Sequence, residues 1–229
     1  MRISGCGGGE ALRLVARHPS FELVYAPGES SAGTRFADRF PGVSAKLGAL
    51  VIEKWDPANL PKLDVLFASL PTGASAEALA RVPKEVKIVD IGGDHRYVKG
   101  WAYGLADVWP TQIEGQTRIA NPGCSPAAVL NALAPLLADK LIEPGNIVID
   151  VKTGISGAGR GGGDSKFGYA ETNEDVVPYG LLKHVHTPEI AKTIERLSGG
   201  GSAAGLVFTP HLVPMTRGPE QSRPPRDIL

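Results

Sequence analysis

Apolar positions along the chain switch between helical and strand spacing. Residues 11, 12, 14, 15 and 16, within Glu10 to Arg17, form a broad apolar helix face that stops at His18-Pro19. Phe21 to Tyr25 then reads as a strand, and Leu63 to Leu70 as an apolar strand ending at Pro71-Thr72-Gly73. An alanine-rich helix is predicted from Ala74 to Arg81, followed by a strand from Val86 to Ile91 that ends at Gly92-Gly93. Pro126 to Lys140 predicts another apolar helix, with Pro135 expected to kink it or end its first half. Ile147 to Thr153 is a predicted strand leading into Gly154, and Gly205 to Phe208 another, with His211 closing it.

Strands alternating with helices imply βαβ units and a parallel sheet, whose ligands gather at the carboxyl ends of the strands. The regular alternation gives way to strands and polar loops in the later part of the chain. The predicted fold is therefore α/β: a Rossmann-like doubly wound parallel sheet over residues 1–120, then a second, incomplete α+β substrate domain over 121–218. Only Met1-Arg2-Ile3 precede the first glycine cluster, where a buried strand is expected. Residues 219–229 are rich in proline and charge and read as a disordered tail. Both ends thus read as shortened.

Composition narrows the function classes. With 24 Lys plus Arg against 24 Asp plus Glu, the chain has no basic excess to meet phosphates, so no nucleic-acid partner is expected. No apolar run approaches the ~20 residues that span a bilayer. The start also lacks a signal-peptide layout. No membrane partner and a soluble, cytoplasmic setting follow as expectations. Cys6 and Cys124 are too few for a disulfide framework and lack metal-type pairing, so no metal site is expected. The 29 glycines and 19 prolines punctuate apolar segments, which suits a glycine-punctuated enzyme better than a helical bundle.

Several segments carry candidate chemistry. The glycines at 5 and 7–9 open a helix, where backbone N–H groups of Gly5 and Gly8 could hold a pyrophosphate; glycine loops before helices also occur without that role. Ser30 and Ser31 follow the second predicted strand and would suit a 2′-phosphate, or would simply line a polar loop. Cys124 lies in Asn121-Pro122-Gly123-Cys124, ahead of a helix with Pro126 in its first turn. The positive end of a helix favours a thiolate, the species that attacks an acyl carbon; the alternative is a buried structural cysteine. His184 and His186 precede Thr187-Pro188-Glu189, a helix expected to be capped by Thr187, and either imidazole could serve the thiol as acid or base. A two-histidine metal site lacks a third ligand. Arg96 could clamp a carboxylate or phosphate, or remain a solvated loop charge. Ser156, Gly157 and Arg160 offer clustered amides and a guanidinium to an anion.

Taken together, these segments resemble the N-acetyl-gamma-glutamyl-phosphate reductase family of arginine biosynthesis. The resemblance is carried by Glu10 to Pro19, Leu70-Pro71-Thr72-Gly73, Asp94-His95-Arg96, Asn121 to Pro126, Ser156 to Arg160, His184 to Glu189 and Phe208 to Gly218, in family order. It implies NADPH-dependent reduction of N-acetylglutamyl 5-phosphate to the 5-semialdehyde, with phosphate released. By position Cys124 matches the thioester-forming nucleophile, and His184 or His186 the acid/base, with His184 favoured. Pro71, Gly73 and Asn121 would border the nicotinamide end of NADP, with Ser156 and Gly157 also on the cofactor; Arg96, Arg160 and His211 would meet the substrate. The family forms homo-oligomers. It departs from this chain in having a glycine where Arg2 stands, an aromatic residue where His95 stands, and sequence beyond Gly218. Related acyl-phosphate reductases of the carrier-linked lysine pathway, aspartate-semialdehyde dehydrogenase, and a remnant retaining only nucleotide binding are the alternatives.

Overall fold

The computed structural model describes residues 3–158 and 169–216 and divides into two compact units, Met1–Pro122 and Gly123–Leu229. Arg160 and the 219–229 tail lie outside the described residues.

The first unit opens with helix α1 (Cys6–Arg17), followed by the short helices α2 (Phe36–Arg39) and α3 (Ala45–Gly48). Strand β1 (Val65–Ala68), helix α4 (Ser75–Ala80) and strand β2 (Lys87–Asp90) form a βαβ unit. Strand β3 (Ala102–Tyr103), the helical turn α5 (Pro110–Ile113) and strand β4 (Arg118–Ala120) complete it. The four strands are all parallel in the order β1-β2-β4-β3. Leu66, Ala68 and Ile88 from the sheet pack with Leu79, Val82 and Val86, so α4 is held on the sheet by aliphatic burial. A second apolar cluster joins Leu12 of α1 to Phe36 of α2 and to Ile52.

One expectation is corrected here. Phe21 to Tyr25 forms no strand: the bridge nearest to it is an isolated one, Pro27 with Glu53. A ladder needs a neighbouring backbone along its length, and alternation of side chains does not supply one. The glycine cluster opens a helix as read, α1 beginning at Cys6 with Gly5 as its N-cap. Packing accounts for this: a Cβ on Gly9 would collide with the ring of Phe40, so the glycines let α1 approach that side chain.

In the second unit, helix α6 (Cys124–Ala138) is continuous through Pro135. Pro135 lies near the end of α6, where losing one N–H costs a single bond and does not end the helix. Strand β5 (Val148–Thr153) leads into a 3₁₀ turn at Ile155–Ala158. Helix α7 (Tyr169–Thr172), strand β6 (Val177–Pro178), helix α8 (Thr187–Leu197) and strand β7 (Val207–Leu212) follow. The sheet is mixed, in the order β5-β7-β6, with β7 parallel to β5 and antiparallel to β6.

Strand β7 runs past Phe208 to Leu212, so His211 lies within the strand instead of closing it. Pro210 cannot donate, but its carbonyl accepts the Tyr179 N–H at 3.0 Å, so the strand continues with one donor fewer. Helix α8 starts at Thr187, which places His186, not Thr187, at the N-cap. Among the described residues no helix is long and apolar enough to cross a membrane.

Candidate active site

Cys124 is the first residue of α6 and its thiol is exposed. Gly123 caps the helix in extended conformation, and the Ala127 N–H closes the first turn on the Gly123 carbonyl at 2.9 Å. Pro126 sits inside that first turn, where its missing N–H has no intrahelical partner to lose. No acidic residue occupies the first turn, so within α6 nothing offsets the positive end of the helix.

The imidazoles come from the segment that enters α8. The ring of His186 lies directly on Gly123: a Cβ there would be 2.6 Å from Nε2 and 2.9 Å from Cδ2. Only glycine permits this approach, and the residue after it is Cys124. His184 stands behind, its Nδ1 accepting the His186 N–H at 3.1 Å. Its ring also packs edge-on against Tyr179, His186 and Phe208, with centroids 5.5, 4.7 and 5.3 Å away. With Nδ1 accepting, the neutral ring carries its proton on Nε2. His184 is therefore anchored through backbone and rings, whereas His186 presents Nε2 to the start of α6.

Burial holds the His184 imidazolium below the ordinary histidine range. Near neutral pH and above, folded and unfolded chains both carry a neutral ring. As pH falls through the ordinary histidine range, the unfolded chain takes the proton first, and stability declines. In urea titrations, the stability difference between the native chain and a His184→Asn variant is expected to shrink from about pH 7 to about pH 5. A constant difference would contradict that account.

Two residues of this cluster are missing from the sequence-derived candidates. The Tyr179 ring packs on His184, and its phenol is held protonated above its ordinary range, first by burial and then by negative charge on Cys124. The carboxyl of Glu189, in the first turn of α8, accepts the Gly123 N–H at 2.9 Å. Neither has a local sequence signal, because Tyr179 follows an ordinary strand and Glu189 reads as a first-turn acid.

The remaining candidates are distributed as follows. Gly5 and Gly8 lie at the start of α1, where the first intrahelical bond runs from the Gly9 N–H to the Gly5 carbonyl at 2.9 Å. Gly5 makes no side-chain cap and no acid lies in the first turn, a setting that suits an anionic group. Ser30 is exposed, whereas Ser31 is buried, and its Oγ has no hydrogen-bond partner among the described residues. Pro71 and Gly73 are exposed at the end of β1. The Gly73 N–H donates to Asp94 Oδ1 at 2.6 Å, and Asp94 Oδ2 caps α4 by accepting the N–H groups of Ser75 and Ala76 at 2.9 and 3.2 Å. Burial opposes ionisation of Asp94, but these donors hold it below the usual carboxylate range. Asp94, two residues before Arg96, is thus a helix cap. Arg96 donates from Nε to the Asn121 carbonyl at 3.0 Å, and Asn121 Nδ2 donates to the Pro122 carbonyl, also at 3.0 Å.

Ser156 and Gly157 differ from the anion nest expected of them. The N–H groups of Ile155, Ser156 and Gly157 donate to the carbonyls of Met215, Thr216 and Gly154 at 2.8, 3.0 and 3.1 Å. Each amide has one proton, and these are committed to the backbone. Nor does the structure bring His211 to the thiol. Alternation along β7 puts it on the face opposite Phe208, whose ring meets His184, and its Nδ1 lies 2.7 Å from Asp150 Oδ1. Lys152 is also 2.6 Å from Asp150, and it holds that carboxyl below the usual range, with His211 adding to the effect.

Comparison with known proteins decides the lineage. Residues 3–116 match the family model described as semialdehyde dehydrogenase, NAD binding domain, and residues 124–221 the one described as semialdehyde dehydrogenase, dimerisation domain. A protein of Methylobacterium sp. (strain 4-46) named N-acetyl-gamma-glutamyl-phosphate reductase is 84% identical over 94% of this chain and 66% of its own length. One of the same name from Desulforudis audaxviator is 39% identical over 94% of this chain and 67% of its own. The chain belongs to the N-acetyl-gamma-glutamyl-phosphate reductase family. It spans about two thirds of the length of these reductases.

Aspartate semialdehyde dehydrogenases share the fold. The enzyme from Candida albicans, solved with NADP, has a TM-score of 0.65 at 17% identity, covering 98% of this chain and 71% of that one. Enzyme II from Vibrio cholerae has a TM-score of 0.68 at 18% identity, covering 94% and 69%. The α/β, Rossmann-like class is shown by this likeness and by the parallel sheet.

Proposed function

We propose that the chain carries the NADPH-dependent reduction of N-acetyl-L-glutamyl 5-phosphate to N-acetyl-L-glutamate 5-semialdehyde, through a thioester on Cys124. The reading rests above all on the exposed thiol at the first residue of α6, with the His186 ring packed on the preceding glycine. The names of the reductase relatives supply the substrate. In this reading the Cys124 thiolate attacks the acyl carbon, a carbon–sulfur bond forms, and phosphate departs with the electrons of the broken acyl–oxygen bond. NADPH, when bound, supplies the hydride that reduces the thioester.

His186 is assigned as the acid/base because its Nε2 faces the thiol-bearing turn; it takes the thiol proton and later returns one. His184 holds His186 by accepting its backbone N–H. The ring of Tyr179 backs His184 edge-on and is assigned to keep it in place. The cofactor's anionic groups are assigned to the uncapped start of α1 at Gly5 and Gly8, with the exposed hydroxyl of Ser30 as a further donor. A homo-oligomer is proposed from the dimerisation-domain match.

The reverse reaction gives the simplest assay. With N-acetyl-L-glutamate 5-semialdehyde, NADP reduction that depends on added phosphate is expected. Folded chain that reduces no NADP, or does so equally well without phosphate, would refute the proposal.

A further inference from the structure

Glu189 is 1% exposed although it is an acidic residue, and its Oε1 accepts the N–H of Gly123, 66 residues away in the chain. Excluding an acid from water is costly unless hydrogen bonds replace the hydration it loses. Its place in the first turn of α8 and its bond to the cap of α6 supply such replacement. The bond joins two helix N-termini. One carries Cys124 as its first residue; the other carries His186 as its cap, three residues before Glu189. The Ile190 N–H also bonds the His186 carbonyl at 3.0 Å, so the carboxyl and the imidazole belong to one rigid turn.

We infer that Glu189 is a positioning residue, which fixes the His186 imidazole against the thiol-bearing turn by holding the Gly123 N–H. The inference rests on the function proposed above for Cys124 and His186, although the geometry it describes is independent of substrate. Without the acceptor, the Gly123 N–H would be left buried, the start of α6 would part from α8, and His186 would lose its register with Cys124. The amide of glutamine keeps an acceptor at the same reach. Aspartate is one methylene shorter and does not reach.

The test reads the coupling of the two groups directly, on the full chain. The imidazole proton signals of His186 are assigned by NMR with a His186→Asn variant, and Cys124 is then alkylated with iodoacetamide. In the native chain and in Glu189→Gln, alkylation is expected to move the His186 signal by the same amount. In Glu189→Ala the movement should fall at least several-fold, and kcat should drop by about 100-fold with KM little changed, the scale set by misplacing a reacting group by about 1 Å. If Glu189→Ala does not fold, Glu189→Asp takes its place with the same expectation. A native-sized shift in a folded Ala or Asp variant would overturn the inference, as would a Gln variant behaving like Ala. Native coupling in a chain that turns over no acyl phosphate would instead refute the proposed function and leave the positioning role standing.

Discussion

Replacing Cys124 with serine is expected to lower turnover by at least about 10³-fold while leaving NADP affinity and the unfolding midpoint near native values. The hydroxyl is nearly the thiol's size, and Cys124 is exposed at a helix start, so the packing loss is small. The chemical loss is large. A serine hydroxyl stays protonated at neutral pH, and an oxygen ester is a poorer stage for reduction than a thioester. Cofactor titration and urea unfolding separate the cases. A variant that loses its fold along with its activity would mark Cys124 as structural.

The second large effect lies in the first unit and concerns stability. Asp90 is 0% exposed at the end of β2, where its Oδ2 meets the Ser75 hydroxyl at 2.9 Å and His95 Nδ1 at 2.6 Å, and its Oδ1 accepts the Gly92 N–H at 2.9 Å. His95 is also buried and stacks on Trp101 with centroids 3.8 Å apart. Asp90→Ala strips the acceptor from these donors at once and is expected to cost about 3–5 kcal/mol in urea unfolding. Asp90→Asn keeps acceptor capacity and should cost clearly less. A loss below about 1 kcal/mol for the alanine variant would show that water replaces the missing carboxyl. Since whole domains are stable by only about 5–15 kcal/mol, the expected loss would leave the first unit marginal.

The same network shows what a sequence reading reaches and where it stops. The helix α4 and the strands β1 and β2 were legible because apolar period and glycine stops are local properties. Asp94 reads equally well as a solvated loop charge, since its partners at Gly73 and Ala76 lie about twenty residues back in the chain. The α/β class follows from the order of elements alone. By contrast, Phe21 to Tyr25 has strand character in its side chains, but pairing is a property of neighbours. Pro210 misleads in the opposite direction: it marks a strand end locally, yet β7 continues because one missing donor is tolerated.

In the candidate site, Cys124 and the two histidines announce themselves by residue type and by the turns around them. What distinguishes His186 from His184 is a close approach to Gly123 that only three-dimensional packing creates. Tyr179 and Glu189 join the cluster through contacts across β7 and between α6 and α8, far apart in sequence. The amides of Ile155, Ser156 and Gly157 show the converse, being a plausible nest by composition whose donors bond a distant backbone segment.

The central claim is that Cys124 forms the acyl intermediate, and the intermediate itself can be trapped. The chain is incubated with N-acetyl-L-glutamyl 5-phosphate in the absence of NADPH, quenched in acid and examined by intact-mass and peptide mass spectrometry. An N-acetylglutamyl adduct on the peptide containing Cys124, released by hydroxylamine and absent from Cys124→Ser, is the expected result. Folded chain that acquires no adduct, or acquires it on Cys6 instead, would contradict the account.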